Sequence, residues 1–206
     1  MTVRRAPASN TLLGTLASGA DFTVAIQVAA VLFVSVLTAT AAQVSVPLPF
    51  TPVPLTLQPM VVLIGGAVLG PRLGMVSQVL YLLAGLAGLP VFAASATLPQ
   101  GPLRLLGPTG GYLMSYPFAA FVTGWLAERG FDRRYLTSVL AMAAGLAVIF
   151  TFGVSWLAWL ARPVPSGLPA ALASGLYPFI PIDLIKISIA AAILPTAWSL
   201  LGHRRH

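Results

Sequence analysis

Apolar residues run through this chain in long blocks that are broken by proline and glycine rather than by charge. The first block covers 22–42, and others follow at 57–70, 72–88, 110–127, 136–160 and 172–201, the last beginning at Pro181 instead if its prolines break it. Neither the period of two expected of a half-buried strand nor a one-sided helical stripe dominates them. Uncharged runs near 20 residues long match the hydrocarbon thickness of a bilayer, about 30 Å. The pattern predicts an all-α integral membrane protein in one domain, a six-transmembrane-helix bundle preceded by a tail over 1–21.

The breaks between blocks carry their own information. Residues 43–59, QVSVPLPFTPVPLTLQP, hold five prolines and no charge, which forbids a regular helix and favours a stiff, extended loop able to fold over a cavity. Residues 91–108 are too broken for a span and too apolar for a solvated loop, so a partly buried or re-entrant connection is expected. Gly66, Gly70 and Gly74 recur at four-residue spacing. Close helix approach and, with Pro71 inside the pattern, a tight turn are both open readings.

Charge narrows the class. With 58% hydrophobic and only 7% charged residues, the chain cannot hide its apolar surface in a water-soluble core. Its net charge of +7 is almost entirely arginine between apolar runs, which speaks for orientation in a membrane rather than for nucleic acid. Six spans put Arg4, Arg5, Arg72, Arg129, Arg133, Arg134, Arg204 and Arg205 on one side, against Arg104 and Arg162 on the other. That asymmetry makes both termini cytoplasmic in a multi-pass protein of a bacterial-type inner membrane, and Trp125, Trp198, Trp156 and Trp159 fall near span ends as interfacial anchors. A cleaved leader is the competing reading of the N-terminus, because Ala39-Thr40-Ala41 matches a cleavage site and Arg4-Arg5 a twin-arginine signal. The apolar run is too long for it and the arginines are followed by Ala6-Pro7.

Candidate chemistry is sparse. There is no cysteine, and the two histidines, His203 and His206, lie in the polar tail, so thiolate chemistry is excluded and no metal or cofactor is expected. The H-E-x-x-H, G-x-S-x-G and Walker signatures are missing, which argues against an enzyme and against an ATPase of the chain's own. Asp183 and Lys186, the sole lysine, are the only opposite charges inside an apolar block, and Asp183 is the only acidic residue expected at depth. One helical turn apart, they share a face and can be bridged by a single ligand, or else they form a register-setting salt bridge.

Weaker candidates surround that pair. Gly107 to Tyr112 resembles a phosphate loop but lacks its GK[ST] ending, and reads better as a helix start capped at Thr109. Arg104 is expected at the membrane surface in solvent, or else on a ligand carboxylate. Tyr81, Tyr112 and Tyr116 are candidates to line a pocket. Ala25 and Ala29, then Ser35 and Ala39, place small residues four apart for packing in the bundle or for docking on a partner. A lipid-directed intramembrane enzyme and a passive channel are the alternative classes; one opposed charge pair blocks a path better than it lines one.

Four stretches, QVSVPLPFTPVPLTLQPM, LGPRLGMVSQVLYLLAGLAGLPVFA, LGPTGGYLMSYPFAAFVTGWLAER and PFIPIDLIKISIAAAILP, resemble in sequence and order the BioY family, the biotin-binding S components of energy-coupling-factor (ECF) transporters. The resemblance covers about 30–196. It implies high-affinity biotin capture from outside by an ECF S-component-like bundle, working with a transmembrane T component and two ABC-type ATPases. Carried onto this chain, it implies that Asp183 accepts from the ureido N–H of biotin while Lys186 donates to its carbonyl. Tyr112, Gly111, Gln58 and Arg104 become further binding residues, and Ala25, Ala29, Ser35 and Ala39 the coupling face.

Overall fold

In the computed structural model, residues 11–17, 23–94, 100–160 and 167–203 are described. Residues 1–10 of the tail with Arg4 and Arg5, its residues 18–21, and Arg162, Arg204, Arg205 and His206 lie outside them, so half of the arginines behind the charge asymmetry are known from sequence alone. The architecture is a helical bundle, with helices α1 (Leu12–Ala17), α2 (Thr23–Gln43), α3 (Gln58–Leu69), α4 (Pro71–Leu86), α5 (Pro102–Leu106), α6 (Gly110–Glu128), α7 (Tyr135–Trp159), α8 (Leu168–Gly175) and α9 (Ile180–His203). Three of them, over Val24–Gln43, Tyr135–Trp159 and Ile180–Leu200, are long and apolar enough to cross a membrane. Their outer faces stay apolar and exposed, as at Phe33, Leu140 and Ile185, which is what a lipid solvent requires.

α6 is the central element, packed against α3, α4 and α7. Small residues make that possible: a Cβ on Gly66 would sit 2.4 Å from the Ala120 carbonyl oxygen, and one on Gly124 2.5 Å from the carbonyl carbon of Gly70. Both open readings of the glycine repeat hold. Gly70, at φ 85°, makes the turn between α3 and α4, while Gly66 and Gly74 let their backbones meet. Pro59 and Pro71 fall in the first turns of α3 and α4, where a missing N–H costs nothing.

The prolines do break the block 172–201: α8 ends at Gly175 and α9 begins at Ile180, with a turn through Pro178 between them. The small residues of α2 divide between two environments. Ala25 and Ala29 are exposed, whereas Ser35 is buried and its hydroxyl donates to the Ser77 carbonyl at 2.7 Å, with Ala39 half-buried. Behind Ser35, the Gln78 amide donates to Thr38 Oγ1 and Ser77 Oγ, both at 3.2 Å, tying α2 to α4 through polar groups that the apolar pattern does not reveal.

Candidate functional site

The proline-rich loop is closed at its base by a two-residue antiparallel ribbon. Strand β1 (Ser45–Val46) pairs with β2 (Leu55–Thr56), leaving 47–54 as a roof. The Thr51 hydroxyl donates to the Ser174 carbonyl of α8 at 2.6 Å and accepts from the Val53 N–H at 3.1 Å. Stiffness from proline and these two bonds hold the roof over a cavity of about 340 Å³. That is near the lower end of ligand pockets, which run from roughly 300 to 1,000 Å³.

α9 supplies the floor. Asp183 and Lys186 both line the cavity and are 4% and 8% exposed. Lys186 Nζ lies 2.7 Å from Asp183 Oδ1 and donates a second bond to the Thr56 carbonyl, also at 2.7 Å. The pair thus meets as a salt bridge, and the same ammonium fastens α9 to the base of the roof. Register-setting and ligand-facing readings are therefore compatible, because the same ion pair is closed within α9 and faces the cavity.

Walls come from α3, α6, α7 and the connection before α6. Tyr112 stands on two glycines: a Cβ at Gly153 would lie 2.2 Å from its Cε1, and one at Gly175 2.3 Å from its hydroxyl oxygen. That hydroxyl donates to the Gly175 carbonyl at 2.7 Å, so Tyr112 presents its ring to the cavity and ties α6 to α8. Gln58 is 2% exposed and lines the cavity, its amide donating to the Tyr81 hydroxyl at 2.6 Å. Tyr81 itself stands behind the wall, edge-on to Phe92 at 5.6 Å between ring centres, whereas Tyr116 does line the cavity.

Arg104 overturns the solvated reading. It is 3% exposed, lines the cavity from α5, and donates to the Ala93 carbonyl. The partly buried connection closes this side because Phe92 fits onto Gly85, where a Cβ would come within 2.1 Å of the ring. Trp156, in the last turn of α7, donates its indole N–H to the Gly107 carbonyl at 2.9 Å beside the start of α6. Thr109 occupies the N-cap position of α6 without a side-chain cap bond, and it lines the cavity instead.

Residues 11–203 match the sequence profile of the BioY family, nearly the whole chain. The chain belongs to the BioY family. It is 44% identical over 162 residues to the probable biotin transporter BioY of Pyrococcus horikoshii, covering 79% of this chain and 89% of that one. To the biotin transporter BioY of Thermotoga maritima it is 38% identical over 146 residues, covering 71% and 81%. Its fold is similar to the crystal structure of the S component for biotin from an ECF-type ABC transporter, with a TM-score of 0.76 and 25% identity over 87% of this chain and 94% of that chain. The all-α membrane architecture of an S component is therefore this chain's own.

Within this BioY chain, two candidate residues stay off the cavity lining, Tyr81 behind the wall and Gly111. Gly111 faces α7, where a Cβ would meet Trp156 Cβ at 2.2 Å, so it serves helix packing rather than the lining. Asp183 is also not the only buried carboxylate. Asp132, in a short 3-10 turn at Phe131–Arg133, is fully buried and accepts from the Trp198 indole N–H at 2.6 Å. Sequence reasoning missed the supporting glycines Gly153 and Gly175, and it missed Phe92, Phe150 and Phe179 on the walls. Each lies in an apolar run in which nothing local distinguishes a wall residue from its neighbours.

Proposed function

We propose that this chain captures biotin for uptake across the cytoplasmic membrane, as the substrate-specific component of an ECF-type ABC transporter. The observation that carries the reading is a cavity with mostly apolar walls that holds a buried carboxylate–ammonium pair. Asp183 accepts from a ureido N–H and Lys186 donates to the ureido carbonyl, while the apolar walls receive the fused rings and the aliphatic tail. Among the described residues two cations, Arg104 and Lys186, line the cavity against one carboxylate, Asp183. A ligand bearing a single negative charge completes that balance, and Arg104 is the residue for its carboxylate. Gln58 and Tyr112 complete the binding set; Gly111 contributes through the α6–α7 contact.

Six spans with both termini in the cytoplasm open the cavity outward, in keeping with the arginine asymmetry. Energy comes from partners: a T component and two ABC-type ATPase subunits, since no Walker motif is present in this sequence. The exposed small residues Ala25 and Ala29 are the docking candidates on α2, with Ser35 and Ala39 fixing that helix from behind. Equilibrium biotin binding to the purified protein tests the reading, together with mass analysis of any small molecule that copurifies in mild detergent. The Asp183→Asn variant should lose at least about a hundredfold in affinity; wild-type affinity in that variant would remove the site.

A further inference from the structure

Two hollows meet at Phe150. One is the cavity just described, which Phe150 borders from α7. The other is a groove of about 380 Å³ between α7 and α9, lined among others by Ala143, Leu146, Ala147, Leu184 and Ile187, with Phe150 again on its wall. Ala143 and Ala147, one turn apart on α7, are too short to fill the space towards α9. Leu146 and Ile187 form a floor, 7% and 2% exposed, while Leu184 at the rim is 51% exposed. Thr151 is the single polar side chain on the lining, and its hydroxyl already donates to the Ala147 carbonyl at 2.7 Å.

Groove and cavity occupy two sides of the same turns of α9. Leu184 and Ile187 line the groove, and their sequence neighbours Asp183 and Lys186 line the cavity. Both helices are of spanning length and composition, so the groove faces hydrocarbon. We infer that the groove holds a lipid acyl chain, and that Phe150 is the partition that keeps membrane hydrocarbon out of the biotin cavity. The inference rests on the cavity being the biotin site. Its physical basis is that the cavity walls are apolar enough to accept an alkyl chain, and the bilayer supplies such chains at far higher concentration than the vitamin. Specificity for a ligand arriving from water therefore needs a barrier on the membrane side, and an aromatic ring in the seam supplies it.

The full-length protein in phosphatidylcholine nanodiscs provides the test, with biotin affinity measured while 1-dodecanol is titrated into the bilayer. Wild-type affinity should be independent of dodecanol. In Phe150→Ala the apparent Kd should climb with dodecanol, by about tenfold or more at the highest loading. Phe150→Leu, a milder change that carries the test if the alanine variant does not fold, should show the same trend with a smaller slope. Adding Ala147→Phe to Phe150→Ala fills the groove from the membrane side and should abolish the dependence. A phosphatidylcholine with a diazirine on its acyl chain should label 143–151 in wild type and additionally Tyr112 in Phe150→Ala. A Kd in the variants that is unchanged, or raised by an amount independent of dodecanol, overturns the partition, and so does labelling that never reaches Tyr112. Failure of wild type to bind biotin at all would instead strike the reading of the cavity, which the labelling readout does not depend on.

Discussion

Among the described residues two carboxylates are buried, and they differ in what surrounds them. Asp183 has an ammonium at 2.7 Å and a cavity in front of it. Asp132 has an indole N–H at 2.6 Å on Oδ2, no hydrogen-bond partner on Oδ1 among the described residues, and no place on the lining of the cavity. Arg133 stands 4.8 Å over the Trp198 ring and lends its charge from the side. Burial of a charge is thus not in itself the mark of a ligand site. The mark is burial beside a space with further polar groups converging on it, and only Asp183 meets that condition.

The largest expected effect separates binding from stability at the Asp183–Lys186 pair. Lys186→Met leaves Asp183 buried without its counter-charge, which should destabilise the protein by about 3–5 kcal/mol and abolish measurable biotin binding. Combining Asp183→Asn with Lys186→Met removes both charges, so thermal unfolding should recover much of that loss while biotin binding stays absent. Recovery of binding in the double variant would mean that the pair is scaffold only.

A smaller effect concerns the glycines under Tyr112. Gly153→Ala drives a methyl into the ring, and biotin affinity should fall by about tenfold, because displaced contacts of this kind cost on the order of 1–3 kcal/mol. Gly111→Ala meets Trp156 at a similarly short distance but away from the cavity. It should lower the unfolding temperature and leave the affinity of the folded fraction within about threefold. Equal loss of affinity in both would show that the cavity does not distinguish ring support from general packing.

The smallest effect belongs to Asp132. Burial pushes the Asp132 carboxyl above its ordinary value, opposed by the Trp198 hydrogen bond and the nearby Arg133 charge. The fold therefore prefers the neutral form. Its contribution to stability is complete below the ordinary carboxylate range and is lost as pH rises through the raised folded value. Asp132→Asn keeps an acceptor for Trp198 and removes the titration, so thermal unfolding followed across that window should show a shallower decline with pH than wild type. Biotin affinity should change by less than about twofold, since Asp132 touches nothing in the cavity. A large loss of affinity would show that the Trp198 end of α9 controls its Asp183 end.

Legibility differed by kind of feature. The apolar blocks, the roofing loop and the Asp183–Lys186 pair are visible in one dimension, because a charge or a run of prolines in an apolar block is a local anomaly. Arg104 was seen as a candidate, but its burial was not, since that depends on Phe92 seating on Gly85 and on α5 folding inward. Gly111 and Tyr112 are adjacent in sequence and looked alike as candidates, yet one faces α7 and the other the cavity. Helix rotation decides between them, and uniformly apolar flanks give no periodicity from which to read it.

What the sequence determined by itself is the solvent of this protein and the chemistry at its centre: long uncharged blocks commit the chain to a bilayer, and one carboxylate with one ammonium a turn apart commits α9 to a polar task. Tertiary structure decided everything that depends on distance between elements. It put the Thr56 carbonyl on Lys186, the Gly153 backbone under Tyr112, and Phe150 on the walls of both the cavity and the groove. These are contacts between residues far apart along the chain, made by close packing of small surfaces, and no local pattern of apolar and polar positions encodes them.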